Sequence, residues 1–377
     1  MTHDRWPSAM LLCGIGIVIL GLGNSFAREK SEGTGRFPHS VILGDFNGDR
    51  HLDMAVAASA ERKITVLLGD GRGGIISNHS YDVGRGPVWV TAGDINGDGR
   101  LDLAVTNASG GTVSLYFNDG KGHYVNRRDL QAFKAPVAAV MADFNRDGRV
   151  DLAVADTLLS RVLIFRGDGN GGFSATKEYA SGTRPHILAA ADLNADGLTD
   201  LLATSLGSHT LTVLLGSADG TFTAHQDVKL GRFPHYMAID DFSGDGHLDV
   251  AVVCAGEDAV FILAGDGKGN LQKRAELPTG INPHPIVSLD FDGDGHSDLV
   301  VGNRSSKDLT ILKGDGRGNF SRLPDVTLPD DPIVLGTGDF NEDGKPDLAV
   351  IMASLNIVGI YRGDGTGGFV PMAAPGS

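Results

Sequence analysis

The feature that most constrains this chain is a repeat. Asp45-Phe46-Asn47-Gly48-Asp49 returns in recognisable form at Asp94, Asp143, Asp192, Asp241, Asp290 and Asp339, each time 49 residues on. A proline keeps the same interval at Pro38, Pro87, Pro136, Pro185, Pro234, Pro283 and Pro332. Hairpin markers such as Gly69-Asp70-Gly71, Gly167-Asp168-Gly169 and Gly265-Asp266-Gly267 fall in the same register. One such unit cannot bury its own apolar face, so the copies must pack on one another. Seven units of 49 fill residues 35–377 and leave that span no room for a second domain.

Each unit holds four short apolar runs bounded by turn residues; in the first they are 40–44, 52–58, 63–68 and 75–83. They lack a helical period and are rich in Val, Ile, Leu and Ala, which predicts strands. The first two are apolar almost throughout, as in strands covered on both faces. The fourth alternates, as in Ser174-Ala175-Thr176-Lys177-Glu178-Tyr179, and suits an outer edge. The expected fold class is therefore all-β, a seven-bladed β-propeller with four antiparallel strands per blade. A period of 49 also fits a kelch repeat, but the Gly-Gly plus aromatic pattern of kelch is missing. Blade 7 can supply all four of its own strands, so the ring is expected to close without strand exchange, or with residues 28–34 as a short linker or clasp.

The loop between the first and second strands carries the chemistry. Its pattern is Asp-x-Asn-x-Asp-Gly-x-x-Asp, with oxygen side chains at positions 1, 3, 5 and 9 and a backbone carbonyl available at position 7. Oxygen donors at this spacing suit a hard cation, Ca²⁺ before the more rigidly octahedral Mg²⁺. The candidate metal ligands are Asp45, Asn47, Asp49 and Asp53 in blade 1, and Asp94, Asn96, Asp98 and Asp102 in blade 2. Blade 3 offers Asp143, Asn145, Asp147 and Asp151, and blade 4 Asp192, Asn194, Asp196 and Asp200. Blade 5 has Asp241, Ser243, Asp245 and Asp249, with Ser a weaker donor. Blade 6 has Asp290, Asp292, Asp294 and Asp298, the most charged set, and blade 7 Asp339, Asn341, Asp343 and Asp347. Position 6 is Gly in six loops, where the turn needs an unusual backbone conformation, and Arg50 in blade 1. A single copy would read equally well as a hairpin turn. Seven copies that keep all four oxygens point to up to seven bound Ca²⁺, since crowded carboxylates repel one another without a cation.

Asp-Phe-Asn-Gly-Asp followed by Leu-Asp-Met-Ala-Val, then Val-Leu-Leu-Gly-Asp-Gly-x-Gly, resembles the FG-GAP/VCBS-type repeat. Related repeats build the propeller of integrin α subunits. The resemblance covers residues 35–377. It implies a Ca²⁺-binding seven-bladed propeller, usually extracellular and here of bacterial, exported type. Adhesion modules, some lectins and many exported proteins of unassigned role share it.

Composition fits these loops. Of the 47 acidic residues only 7 are Glu, and the ligand positions alone take 22 carboxylates, so the net charge of −15 reads as a cation requirement. Seven Ca²⁺ would bring it to about −1. The acidity also argues against a nucleic-acid partner. At the N-terminus Arg5, the apolar run 9–22 and Ser25-Phe26-Ala27 read as a signal peptide over residues 1–27, or as a retained anchor; no other stretch is long enough to span a membrane. A secreted, periplasmic or cell-surface location and a monomer are expected. With Cys13 in that run, Cys254 has no disulfide partner and reads as a small buried residue, with a reactive thiol as the alternative.

The ring face opposite the metal loops collects the prolines and the loops between strands two and three. The residues after the prolines are His39, Val88, Val137, His186, His235, His284 and Ile333. His186, His235 and His284, with His39, form a candidate ligand or transition-metal site at the channel mouth; the alternative is strand-start histidines satisfied by backbone. Trp89 and Tyr236 lie near the same face, either to stack on a sugar or to pack the channel. Loops that vary on a rigid ring are where recognition is placed. The reading is a non-catalytic binding or adhesion module for a glycan or protein. The alternative is a polysaccharide hydrolase or lyase using the channel face, although no blade-specific acid pair stands outside the metal loops.

Overall fold

The computed structural model describes residues 37–352 and 354–372. The signal-peptide and clasp segments of the sequence reading lie outside the described residues. Seven antiparallel sheets follow one another along the chain, each paired in sequence order from first strand to last. In blade 1 the strands are Pro38–Gly44, Asp53–Ala58, Lys63–Gly69 and Ile75–Asp82. Each blade's first strand touches the first strand of the next blade, so these seven line the channel, and the first strand of blade 7 meets that of blade 1. Blade 7 is built from its own unit, Pro332–Gly338 to Phe369–Pro371, so among the described residues the ring closes without strand exchange.

Burial follows the predicted gradient. All six residues of each second strand are buried, from Asp53–Ala58 to Asp347–Met352, while the outer strand Ile75–Asp82 alternates half-buried and exposed. The inner strands begin at the repeated proline, which needs no donor there, two residues earlier than the apolar run in blade 1. In blade 6 the outer strand splits into Phe320–Arg322 and Val326–Thr327 around Pro324, a residue that cannot donate to the ladder.

The seam between blades 7 and 1 is as apolar as the others, with Val41, Met54 and Val56 packed against Val334, Phe340 and Ile351. The apolar residue at loop position 2 wedges between blades. Phe46, Phe144, Phe242 and Phe291 are at most 2% exposed and meet Tyr124, Phe222, Phe320 and Phe369 of the next blade at ring distances of 5.4–6.3 Å. The sequence reading gave this position no role, although it is apolar in all seven loops. Loop conformation and ring integrity are thus coupled.

Candidate functional site

Each acidic loop is wound around its first carboxylate. Asp45 accepts from the amides of Gly48 at 2.7 Å, Asp49 at 3.2 Å and Arg50 at 2.9 Å. Asn47 Oδ1 accepts from the Asp49 amide at 2.9 Å, and Asp49 Oδ1 from the His51 amide at 2.8 Å. Position 6 has positive φ in all seven loops, 72° at Arg50 and 78–86° at the glycines, so the arginine adopts the glycine conformation against its steric preference. Position 4 is left-handed as well, even where it is Arg146, Ala195 or Glu342.

Position 9 plays a different part from the rest. Asp53 is fully buried; its Oδ2 accepts from the Phe46 amide and its Oδ1 from the Gly69 amide, both at 2.8 Å. The same pair of bonds recurs in blade 4, where Asp200 accepts from Leu193 at 2.9 Å and from Gly216 at 2.8 Å. This carboxylate therefore ties the loop, the wedge residue and the third strand together. Burial first, with the charges of positions 1 and 5 adding to it, pushes Asp53, Asp102, Asp200 and Asp347 up to about 6. The loop thus concentrates negative charge around a buried carboxylate, as the pattern required.

Blade 6 alone has a carboxylate at each of positions 1, 3 and 5. Oxygens of Asp290, Asp292 and Asp294 lie within 4.8 Å of one another, and this group can hold a metal ion. Asp292 Oδ1 is buried without a hydrogen-bond partner, which leaves one carboxylate oxygen free to accept. Lys313, on the third strand of the same blade, reaches in to pair with Asp292 and, at 2.9 Å, with Asp294. As in the other loops, position 1 accepts from backbone amides, here those of Gly293, Asp294 and Gly295, and position 5 from that of His296. In blade 3, Asn145 turns inward and donates to Asp151 at 2.8 Å, whereas Asn47, Asn96 and Asn194 donate to position 5 at 2.8–3.1 Å.

On the opposite face the channel mouth is a cavity of about 330 Å³. His186 and His284 line it and His235 packs against both, with ring centroids 4.1 Å apart for His235–His284, 5.0 Å for His186–His235 and 6.4 Å for His186–His284. Burial, then mutual repulsion and nearby arginines, lowers His186 to about 3, and burial with Arg304 lowers His235 to about 4. His284 is held well below its usual value by the same causes, burial first. All three are neutral imidazoles at pH 7. In the ring orientations present, their nitrogens do not all lie within 4.8 Å of one another. Trp89 and Tyr236 are packed into the floor, 2% and 4% exposed, and the Trp89 indole donates to the Ala139 carbonyl at 2.8 Å. The packing alternative therefore describes them, with their ring faces lining the cavity. His39 stays exposed at the rim.

With both sites in view, similarity to known proteins can be set beside them. FG-GAP-like repeats match residues 45–105, 96–154, 143–203, 241–301 and 290–350. The chain belongs to the FG-GAP-like repeat family. No curated protein sequence matches it. Among solved structures, this FG-GAP-like chain is similar to BBS1N in a complex with ARL6DN, with TM-score 0.66 and 14% identity over 94% of this chain and 98% of that one. It is similar to an Agrocybe aegerita lectin that recognises non-reducing terminal N-acetylglucosamine, with TM-score 0.54 and 22% identity over 78% and 81% of the two chains. It also resembles streptogramin B lyase, with TM-score 0.56 and 13% identity over 84% and 96%. At these identities the likeness shows the propeller fold alone.

Two residues of the FG-GAP-like chain enter the site that sequence reasoning did not single out. Lys313 directly precedes Gly314-Asp315-Gly316, where blades 3 and 7 also carry a basic residue, Arg166 and Arg362, so the position alone gave no signal for a contact with the loop. Arg304 lies in a variable loop and lines the cavity with the histidines; only the fold brings them together. Cys254 is a free, buried thiol, pushed up to about 12 by burial, which fits the small-core-residue reading.

Proposed function

We propose that this chain is an exported, calcium-stabilised and non-catalytic binding module that presents its channel-mouth face to a glycan or a protein. The observation that carries this is the division of labour between the two faces. One repeats the same acidic loop seven times; the other breaks the symmetry at every blade. Asp290, Asp292 and Asp294 would hold Ca²⁺ in blade 6, and positions 1, 3 and 5 of the other loops would supply equivalent donors after a modest turn of their side chains. A bound Ca²⁺ neutralises these carboxylates and locks the loop against the wedge residue.

Six exposed large apolar residues, Phe37, Leu158, Leu159, Phe233, Ile281 and Leu355, stand on the segments that ring the channel mouth. Phe37 and Phe233 stand at a left-handed position before the repeated proline, φ 57° and 54°, that Arg184 and Asn282 share, so the turn and not the side chain sets the conformation. Exposed apolar side chains on five blades of one face favour an interaction surface there. The cavity is lined without a single Asp or Glu among the described residues, whereas glycoside hydrolysis uses two carboxylates. Binding to an array of glycans and matrix proteins tests the reading. Capture of a ligand that Phe233→Ser and Ile281→Ser abolish together supports it; turnover of a polysaccharide by the wild-type chain contradicts it.

A further inference from the structure

Four buried polar atoms without a hydrogen-bond partner gather at the channel mouth: Nδ1 of His186, His235 and His284, and Nε of Arg304. Buried polar groups are ordinarily paired, and a cluster of unpaired ones marks a place where something else supplies the partner. Arg304 is tied by Nη2 to Asp331 at 3.1 Å, and its buried Nε is among the donors left over. Around the channel, blades 1, 4, 5 and 6 contribute His39, His186, His235 and His284, while blades 2, 3 and 7 contribute Val88, Val137 and Ile333. Blades 4, 5 and 6, with Arg304, thus form an imidazole and guanidinium half of the mouth, and the other half, blades 7, 1, 2 and 3, is aliphatic except for His39 at the rim.

We propose that the channel-mouth cavity binds a small acid, a carboxylate on a ring or hydrocarbon body, with the carboxylate on Arg304 and the imidazole half and the body on the aliphatic half above Trp89 and Tyr236. The proposal rests on the reading that this face is the recognition face, and it names the chemistry recognised there. The volume of about 330 Å³ is in the range of small-ligand sites, which are mostly apolar with a few polar groups that orient the ligand. The charge selects the sign. In a chain of net charge −15, the residues lining this cavity include a cation and no carboxylate. A cationic ligand meets Arg304; an anion is attracted by it. A half-turn of an imidazole about its Cβ–Cγ bond keeps the ring's shape and moves Nδ1 to the opposite edge, so the buried nitrogens can be turned toward an occupant without repacking.

An anion also reverses the balance that holds the histidines neutral. The charged and titratable groups facing them are one another, His39, Arg184 and Arg304, with Asp331 already paired to Arg304. A bound carboxylate favours their protonation, so binding takes up protons and tightens as pH falls.

The carboxylate can come from an acidic sugar or from a free apolar acid, and paired probes separate the two. In a Trp6→Phe background Trp89 is the remaining tryptophan and its emission reports the cavity. The chain is titrated with glucuronate against glucose, and with cyclohexanecarboxylate against cyclohexanecarboxamide, at about pH 7.5 and about pH 5.5. The expected result is that one acid binds at least about tenfold more tightly than its neutral partner, and more tightly still at the lower pH. Arg304→Gln and His186→Asn each weaken that binding about tenfold. Because Arg304 is joined to Asp331, an unchanged melting temperature is required of the variants, with His186→Asn as the check that does not touch that pair. Equal binding of acid and neutral partner, or no response to either acid, overturns the proposal. If macromolecular capture by Phe233 and Ile281 persists in that case, the recognition-face reading survives and only the acid chemistry fails.

Discussion

The two faces of the ring solve opposite problems with the same scaffold. On the loop face, seven near-identical turns hold carboxylates at fixed spacing, and position 9 of each is buried and bonded to backbone amides, as Asp53 and Asp200 show. On the mouth face, the equivalent positions after the proline differ, and four buried polar atoms there go unpaired. On the proposed reading, repetition on one side serves the ring and irregularity on the other serves recognition. If that division is right, damage to the loop face costs stability, while damage to the mouth face costs binding.

The largest effect is expected from the wedge. Phe144 is 1% exposed and meets Phe222 of the next blade at 5.4 Å, so Phe144→Ala is expected to cost about 3–5 kcal/mol of unfolding free energy. A loss confined to mouth-face variants would break the comparison. Next comes the position-9 tie: Asp200→Ala leaves the Leu193 and Gly216 amides without their acceptor and is expected to cost roughly 2–4 kcal/mol by denaturant melts.

pH separates the faces by sign. The mouth histidines have folded values of about 3 for His186 and about 4 for His235, below the unfolded 6.5, so the unfolded chain binds more protons and stability is lost as pH falls from about 6.5. The His186→Asn/His235→Asn double variant is expected to lose that dependence, by at most about 1.4 kcal/mol per pH unit for each histidine. The loop carboxylates run the other way. Asp53 and Asp102, raised from 3.8 to about 6, contribute stability that is present below about pH 4 and lost as pH rises through 6 in the metal-free chain. Urea melts of both chains from pH 7 to pH 5 measure the difference.

The smallest effect is local. Lys313 pairs with Asp292 and Asp294, where the proposed cation would sit, and its side chain is about one-third exposed. Lys313→Met is therefore expected to change stability by less than about 1 kcal/mol while raising Ca²⁺ affinity of blade 6 by about tenfold, read by calorimetric titration. Unchanged affinity would show that the lysine does not compete with the ion.

The fold was legible because the repeat makes one inference seven times over: the invariant interval, the proline and the Asp loop fix blade number, strand count and the face of each loop. The site was legible only in part. Residue types at positions 1, 3 and 5 announce an oxygen-rich loop, but that position 9 is spent on the Phe46 and Gly69 amides depends on a strand 16 residues away closing over it. Arg304 and His39 come from different ends of the chain and meet only because the ring closes. Local pattern carries no signal for such a meeting.

The central claim is that the repeated acidic loops are cation sites that hold the ring together. Its most direct test is the melting temperature of the chain in calcium against the same chain in chelator. With several loops saturated, calcium is expected to raise it by at least about 10 °C. The same melting temperature in both would contradict the account and leave the seven loops as turns alone.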